Sequence, residues 1–296
     1  MLVVAREFMA MGDAPGDASE RATRLMELDC ISFSNVGLHQ SVISGKNAAA
    51  HMQRIVDHCA DLLNKGILAV FVCEVGDNMI GAGQDFQEKF EDCLTRACNG
   101  SPLQLHWKGE LLCAARSSVK LTASYISANC RAKTQQWRYV QVVDIHYKAM
   151  PVKIYHLHLT SSAKHPLTDN TRQEVFASIA RHAHGCPMKH GFIIGGDTNS
   201  SVPFLTELFT RNTVLFASPI IVFPETVEKR RPHGDVAICW DLNIVPQKCN
   251  MKADVSHDVT LVAWPRMEQS VLPPEGCCLQ GCYRYWLQLT RMRRAR

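Results

Sequence analysis

Long apolar runs are missing from this 296-residue sequence, and their absence limits where the chain can act. A membrane-spanning helix needs about 18 or more consecutive apolar residues, and no uninterrupted run approaches that length. The sequence also shows no charged-then-apolar leader with a cleavage site. We therefore expect no membrane span, and an intracellular protein that is cytoplasmic or nuclear and not secreted.

Several well-defined catalytic motifs are also missing. There is no Gly-x-Ser-x-Gly elbow of a serine hydrolase and no His-Glu-x-x-His helix of a zinc peptidase. The pair Gly81 and Gly83 lacks both the third glycine and the preceding strand of a dinucleotide-binding loop. These absences disfavour three common enzyme classes.

The composition is that of a globular protein, with 46% hydrophobic and 20% charged residues. The net charge of +4 permits an anionic partner without requiring one. Thirteen cysteines are scattered along the chain and form no small-scaffold framework. Reduced, mostly buried thiols are the simplest interpretation.

Changes in composition divide the chain into three segments. Residues 1–27 are small, polar and turn-prone, which predicts a poorly structured lead-in. Residues 28–266 carry the periodic patterns of a folded domain. Residues 267–296 form a tail rich in cysteine and arginine, for which a solvated terminus is favoured over contact with nucleic acid or membrane.

Apolar periodicity predicts a mixed α/β domain. Predicted helices cover residues 48–65, 171–184 and 201–210. Strands are predicted at 30–35, 67–73, 110–116, 120–126, 139–147, 152–159, 192–194, 235–239 and 259–264. This order favours α/β with substantial antiparallel pairing over a doubly wound repeat.

The strongest motif is Gly195-Gly196-Asp197-Thr198-Asn199, at the end of a buried strand. If the backbone stays extended, Asp197 and Asn199 point to the same side of the strand. The glycines would let the backbone and a substrate approach closely. A plain turn is an equally good interpretation of the motif taken alone.

Other polar residues stand at strand ends. Glu74 follows a buried strand, where its carboxylate suits a cation such as Mg²⁺, and Asn35 closes an earlier strand. His156 and His158 share one strand face; His158 is favoured as a phosphate contact, although metal binding by both histidines stays open. For each residue alone, a structural role is the simpler interpretation.

Two short motifs complete the set. Asp235 opens a late strand, and Ser256-His257-Asp258 lies near the end of the domain. A catalytic histidine needs a carboxylate that fixes its tautomer, and Asp235 can serve His257 in this way.

The order of these motifs from residue 29 to 264 resembles that of the endonuclease/exonuclease/phosphatase superfamily, the deoxyribonuclease I-like proteins. The resemblance implies a four-layer α/β/β/α sandwich of two mixed β-sheets flanked by helices. It also implies roles: metal binding for Glu74 and Asn35, water activation for Asp197, phosphate contacts for Asn199 and His158, and transition-state stabilisation for His257 paired with Asp235.

The resemblance implies a Mg²⁺-dependent phosphoesterase, with Mn²⁺ as a substitute, whose partner is a phosphate-ester substrate. A phosphodiesterase or nuclease acting on nucleic acid is favoured. A phosphatase or lipid phosphodiesterase on the same scaffold is an alternative. Ser256 stands where the superfamily usually has aspartate before the histidine, so a catalytically silent binding module is the alternative of another class.

Overall fold

The computed structural model describes twelve stretches of the chain. They are residues 3–4, 28–36, 47–75, 85–128, 138–147, 150–159, 169–186, 191–200, 202–211, 220–222, 233–240 and 260–265. Within these stretches the helices are α1 (Asn47–Asn64), α2 (Asp85–Ala97), α3 (Asp169–His184) and α4 (Val202–Arg211). The strands are β1 (Val3–Val4), β2 (Leu28–Asn35), β3 (Ala69–Cys73), β4 (Leu103–Lys108), β5 (Leu111–Arg116), β6 (Lys120–Ala128), β7 (Arg138–Tyr147), β8 (Met150–His158), β9 (Gly191–Ser200), β10 (Ile220–Val222), β11 (His233–Trp240) and β12 (Thr260–Pro265).

The strands form two mixed sheets. The first has the order β1-β10-β11-β9-β8-β7-β6, and the second has the order β12-β2-β3-β5-β4. Most neighbours are antiparallel, but β2 and β3 are parallel in the five-stranded sheet, and β8 and β9, like the short β1 and β10, are parallel in the seven-stranded sheet. Each sheet therefore contains a parallel pair whose carboxyl ends lie side by side.

Three hydrophobic clusters hold four layers together. Helices α1 and α2 pack on the outer face of the five-stranded sheet through residues such as Ile55, Leu62 and Phe90. Helices α3 and α4 cover the seven-stranded sheet. The inner faces of the sheets meet around Phe33, Phe71 and further apolar residues. The predicted four-layer α/β/β/α sandwich is confirmed.

Helix α1 illustrates how the sequence specifies its elements. Ile55, Val56, Leu62 and Leu63 are fully buried on one face. After the helix, Gly66 takes a φ of 88°, and its N–H donates to the carbonyl of Leu63. Glycine adopts this left-handed conformation without steric cost, so it ends helices efficiently.

The main difference from the predicted elements lies in β9. Its predicted extent, 192–194, was expected to stop at the two glycines, but the strand continues through them to Ser200. Helix α2 and the strands β1, β4 and β10 were not predicted. In α2, Phe86, Phe90 and Leu94 recur at a spacing of four residues, so its apolar stripe was present in the sequence.

The compact unit runs from Met1 to Pro265, and a second unit covers Arg266–Arg296. The predicted tail lies outside the described residues, and the predicted domain boundaries stay predictions. In the described stretches, no helix is long and apolar enough to cross a membrane.

Candidate functional site

The parallel pairs β2–β3 and β8–β9 bring polar side chains to one place. In the five-stranded sheet, Asn35 ends β2 opposite Cys73 of β3, and Glu74 follows at once. In the seven-stranded sheet, His158 ends β8 opposite Asp197 of β9. The carboxyl ends of parallel strands are where α/β proteins commonly place ligand-binding groups.

Asn35 joins the two sheets through its side-chain amide. This residue is 1% exposed, and its Nδ2 lies 3.3 Å from Glu74 Oε1 and 2.7 Å from Asp197 Oδ2. An amide NH₂ group carries two hydrogens, so one nitrogen can donate to both carboxylates. Asn35 thereby holds the two acidic side chains beside each other.

Glu74 occupies an unusual backbone conformation. Its φ is 63°, in the left-handed region that non-glycine residues seldom adopt. The next residue, Val75, donates its N–H to the carbonyl of Glu110, which fixes the turn. Backbone strain of this kind is found mostly at functional sites, where the surrounding contacts maintain it.

Asp197 is buried and is oriented from two directions. Asn35 donates to its Oδ2, and the backbone N–H of Asn199 donates to its Oδ1 at 2.9 Å. The backbone is not extended at Asn199, where φ is 45°, so the condition for the predicted same-side arrangement is not met. Asn199 Nδ2 donates to the carbonyl of Leu159, and Arg172 donates to the carbonyl of Asn199 at 3.0 Å.

The two glycines before Asp197 serve packing. A Cβ atom on Gly195 would lie 2.3 Å from the ring of Phe33 on the opposite sheet, and one on Gly196 would lie 2.2 Å from the carbonyl oxygen of Leu157. The expected close approach at these glycines is therefore made by other parts of this chain. Gly196 also has a φ of 116°, which side chains disfavour.

His158 lies between three carboxylates. Its Nδ1 is 2.7 Å from Glu110 Oε1, while its Nε2 is 3.3 Å from Glu74 Oε1 and 3.9 Å from Asp197 Oδ2. Glu110 was not predicted as a site residue. It stands in the short turn between β4 and β5, where an acidic side chain is ordinarily solvated, so no signal in the sequence marks it.

The surroundings of His158 favour its charged form. Burial acts to lower the pKa of His158, but the hydrogen bond that His158 donates to Glu110 and the negative charges of Glu110, Asp197 and Glu74 outweigh it. The pKa of His158 is therefore raised from its ordinary value.

His156 has a different environment, although it shares the strand face. It is fully buried, its Nδ1 is 3.0 Å from Gln141 Oε1, and its ring contacts Phe33 and Phe71. Burial, with a smaller contribution from the charge of His158, lowers its pKa to about 3. A metal site made by both histidines, which the sequence left open, does not fit this apolar setting.

Within the described stretches, Glu74, His158 and Asp197 offer ligand atoms that all lie within 4.8 Å of one another. Two buried carboxylates at this separation repel each other unless positive charge is shared between them. Carboxylate and amide oxygens are suitable ligands for a hard divalent cation. The donor set therefore fits a cation held mainly by Glu74, with Asn35 and Asp197 beside it.

The remaining predicted residues are Asp235 and His257. Asp235 of β11 pairs with Asp197 of β9 in the antiparallel ladder, next to an irregularity between His233 and Asp235. The backbone thus places Asp235 beside the cluster. His257 and Ser256 lie outside the described residues, so the pairing of Asp235 with His257 stays a prediction.

Solved structures share this fold. An endonuclease/exonuclease/phosphatase family protein from Leptotrichia buccalis is 13% identical, with a TM-score of 0.54, and the match covers 79% of this chain and 98% of that one. Danio rerio TDP2 in complex with a single-stranded DNA product is 15% identical, with a TM-score of 0.55 and coverages of 80% and 98%. The human Nocturnin catalytic domain with a bound sulfate anion is 12% identical, with a TM-score of 0.51 and coverages of 80% and 94%.

These similarities confirm the resemblance predicted from motif order at the level of the fold. No protein-family model and no curated protein sequence matches the chain. What the site does must therefore be argued from its own residues.

Proposed function

We propose that the chain is a divalent-cation-dependent phosphodiesterase that hydrolyses nucleic acid. The observation that carries this proposal is the buried cluster of Glu74, His158 and Asp197, which is bridged by Asn35 and lies between the two sheets. The solved Danio rerio structure of the same fold holds a single-stranded DNA product, which favours nucleic acid over a lipid or an inositol phosphate.

Glu74 and Asn35 would hold the cation, for which Mg²⁺ is expected and Mn²⁺ is the substitute. When bound, the cation would neutralise charge on the phosphoryl oxygens of the substrate. The donors are oxygens, which suits these hard ions better than a soft metal.

Asp197 would orient and deprotonate the attacking water. The hydrogen bonds from Asn35 and Asn199 fix its carboxylate in one position, so little reorganisation is needed. The water oxygen forms a bond to phosphorus as the ester P–O bond breaks. His257, with Asp235, would stabilise the negative charge that develops on the phosphoryl group in the transition state, and the leaving oxygen would take its proton from solvent.

Two further residues, His158 and Asn199, would contact the phosphate. Glu110 fixes the ring of His158 through Nδ1, so that Nε2 faces the cluster. Asn199 uses one amide hydrogen on the carbonyl of Leu159, and its second hydrogen would donate to a phosphoryl oxygen.

The test is hydrolysis of bis-(p-nitrophenyl) phosphate and of plasmid and single-stranded DNA, with Mg²⁺, with Mn²⁺ and with EDTA. Glu74→Gln and Asp197→Asn should lower the rate by about 100-fold or more. Glu88→Gln and Asp92→Asn, on the exposed face of α2, are the matched controls. Activity that survives in both site variants would show that the assigned site is wrong.

A catalytically silent binding module remains the competing function, because Ser256 precedes His257. Wild-type protein that is inert with both cations on DNA, RNA, inositol phosphates and sphingomyelin would favour it.

A further inference from the structure

Two tyrosines stand out among the described residues as exposed large apolar side chains. Tyr125 of β6 is 58% exposed and Tyr139 of β7 is 36% exposed. Their ring centroids are 5.8 Å apart, and the rings meet edge to face. Lys108 Nζ lies 3.8 Å from the centroid of the Tyr125 ring and 4.2 Å from that of Tyr139. We name Lys108, Tyr125 and Tyr139 the tyrosine platform.

The tyrosine platform adjoins the candidate site through the register of β7 and β8. Gln141 of β7 pairs with His156 of β8. Tyr139 and His158 each lie two residues beyond this pair, toward the same end of the sheet and on the same face. The exposed rings therefore continue the strand face that carries His158.

The turn between β4 and β5 also places the tyrosine platform near the candidate site. Lys108 is two residues before Glu110, whose carboxylate bonds His158. Successive Cα atoms are about 3.8 Å apart, so the Cα atoms of Lys108 and Glu110 lie within about 8 Å of each other. Tyr139 thus lies opposite the position of His158 in the sheet, and Lys108 is two residues from the glutamate that bonds His158.

The chemistry of the platform combines an aromatic face with a positive charge. Proteins that hold single-stranded nucleic acid use this combination: bases stack on aromatic rings, and cations meet the phosphates. More than half of the Tyr125 side chain stays accessible to a ligand. The platform lies next to the cluster of Glu74, His158 and Asp197. A single-stranded nucleic acid that passes through the site is therefore the occupant that fits the platform.

We propose that the tyrosine platform stacks a base of the single-stranded nucleic acid that flanks the phosphate held at the Glu74 cluster. This inference rests on the proposed function, since it assumes that the cluster takes a nucleic-acid phosphate. Stacking would be tolerant of base identity, because every base has a π-face. Lys108 would meet the adjoining phosphate while remaining above the rings.

The test measures binding apart from hydrolysis. Fluorescence anisotropy of labelled oligothymidylate and oligouridylate is followed with the full chain in EDTA. Tyr125→Leu removes the ring and should raise the Kd by about 5- to 150-fold, which is the loss of affinity expected for one stacked base. Tyr125→Phe keeps the ring and should bind as the wild type does. Lys120→Ala, at the exposed far end of β6, is the control for lost charge and should change little.

An abasic strand of the same length separates stacking from charge. Wild type should bind it about as weakly as Tyr125→Leu binds oligothymidylate, and Tyr125→Leu should not discriminate between the two strands. Equal binding of oligothymidylate by wild type and Tyr125→Leu overturns the proposal, as does the absence of any oligonucleotide binding. Tyr139→Leu is the second variant if Tyr125→Leu loses its cooperative thermal melt.

Hydrolysis of bis-(p-nitrophenyl) phosphate tests the proposed function on its own, because this substrate has no base. Base-dependent binding by a protein that is inert toward this substrate would support the platform while contradicting the hydrolytic function.

Discussion

Asn35 donates from Nδ2 to Asp197 Oδ2 across 2.7 Å, although the two residues are 162 positions apart in the sequence. The same nitrogen lies 3.3 Å from Glu74 Oε1. One neutral amide therefore separates two buried carboxylates that would otherwise repel each other.

Replacing this amide with a third carboxylate should destabilise the protein. In Asn35→Asp we expect the free energy of unfolding in EDTA to fall by about 2–4 kcal/mol, because a buried donor is lost and negative charge is added. Chemical denaturation with and without Mg²⁺ measures the effect, and part of the loss should be recovered with the cation. Asn64→Asp, on the exposed end of α1, is the control; an equal effect there would contradict the argument.

Cation binding should stabilise the folded state. A ligand that binds only folded protein adds about 2.7 kcal/mol when it is present at roughly 100 times its Kd. We expect Mg²⁺ to raise the Tm of the wild type and of Glu88→Gln, but to leave Glu74→Gln almost unchanged. The same rise in all three proteins would show that the cation binds elsewhere.

Glu110 should act by positioning His158. Glu110→Ala removes the partner of Nδ1, and we expect kcat to fall by about 10- to 100-fold, as for other groups that orient a site histidine. Glu110→Gln keeps an oxygen acceptor, so it should restore part of the rate. Steady-state kinetics with bis-(p-nitrophenyl) phosphate separates kcat from KM, and an equal loss in both variants would argue against a positioning role.

Two histidines should make the fold sensitive to acid. Burial lowers the pKa of His58 to about 4, against the opposing charge of Asp61, and the pKa of His156 is lowered to about 3. In the unfolded chain both histidines take up a proton near pH 6.5, whereas in the folded chain burial opposes protonation. The two histidines therefore contribute stability above about pH 6.5, and this contribution is lost as the pH drops toward 4.

The loss should be at most about 1.4 kcal/mol per pH unit for each histidine. Urea denaturation between pH 7 and pH 4 measures it, and His58→Gln should reduce the slope. Ser34→Ala removes the hydroxyl 2.9 Å from His58 Nε2 but keeps the imidazole, so its slope should persist. An unchanged slope in His58→Gln would refute the assignment.

Contact between Gly195 and Phe33 should be sensitive to a single methyl group. Gly195→Ala places a Cβ 2.3 Å from a fully buried ring, so we expect a loss of about 1–3 kcal/mol or more in the free energy of unfolding. Gly185→Ala meets only atoms at 3.5 and 3.6 Å and is the matched control. Wild-type stability in Gly195→Ala would show that the sheets separate easily at this point.

The sequence predicted the scaffold well because periodicity and burial are local signals. Strands such as β3 and helices such as α1 were found within a few residues of their expected bounds. The order of short motifs also placed Asn35, Glu74, His158 and Asp197 in one site. Asn35, Glu74 and His158 stand at strand ends, where chain direction determines which edge they reach, and Asp197 lies three residues before the end of β9.

What the sequence did not reveal depends on partners distant along the chain. Glu110 sits in a turn and gains its role only from His158, 48 positions away. Gly195 was interpreted as an opening for substrate because Phe33, on the other sheet, was not foreseeable. The tyrosine platform likewise depends on Lys108 reaching two strands that follow it.

The bridge between Asn35 and Asp197 has a consequence for folding. Its two halves belong to different sheets, so the cluster cannot assemble until the chain has closed a loop of more than 150 residues. Contacts of such high sequence separation form late and slow the search for the native state. Fragments that hold only one sheet should acquire strands and helices but no catalytic centre, and recovery of activity during refolding would then track completion of the whole sandwich.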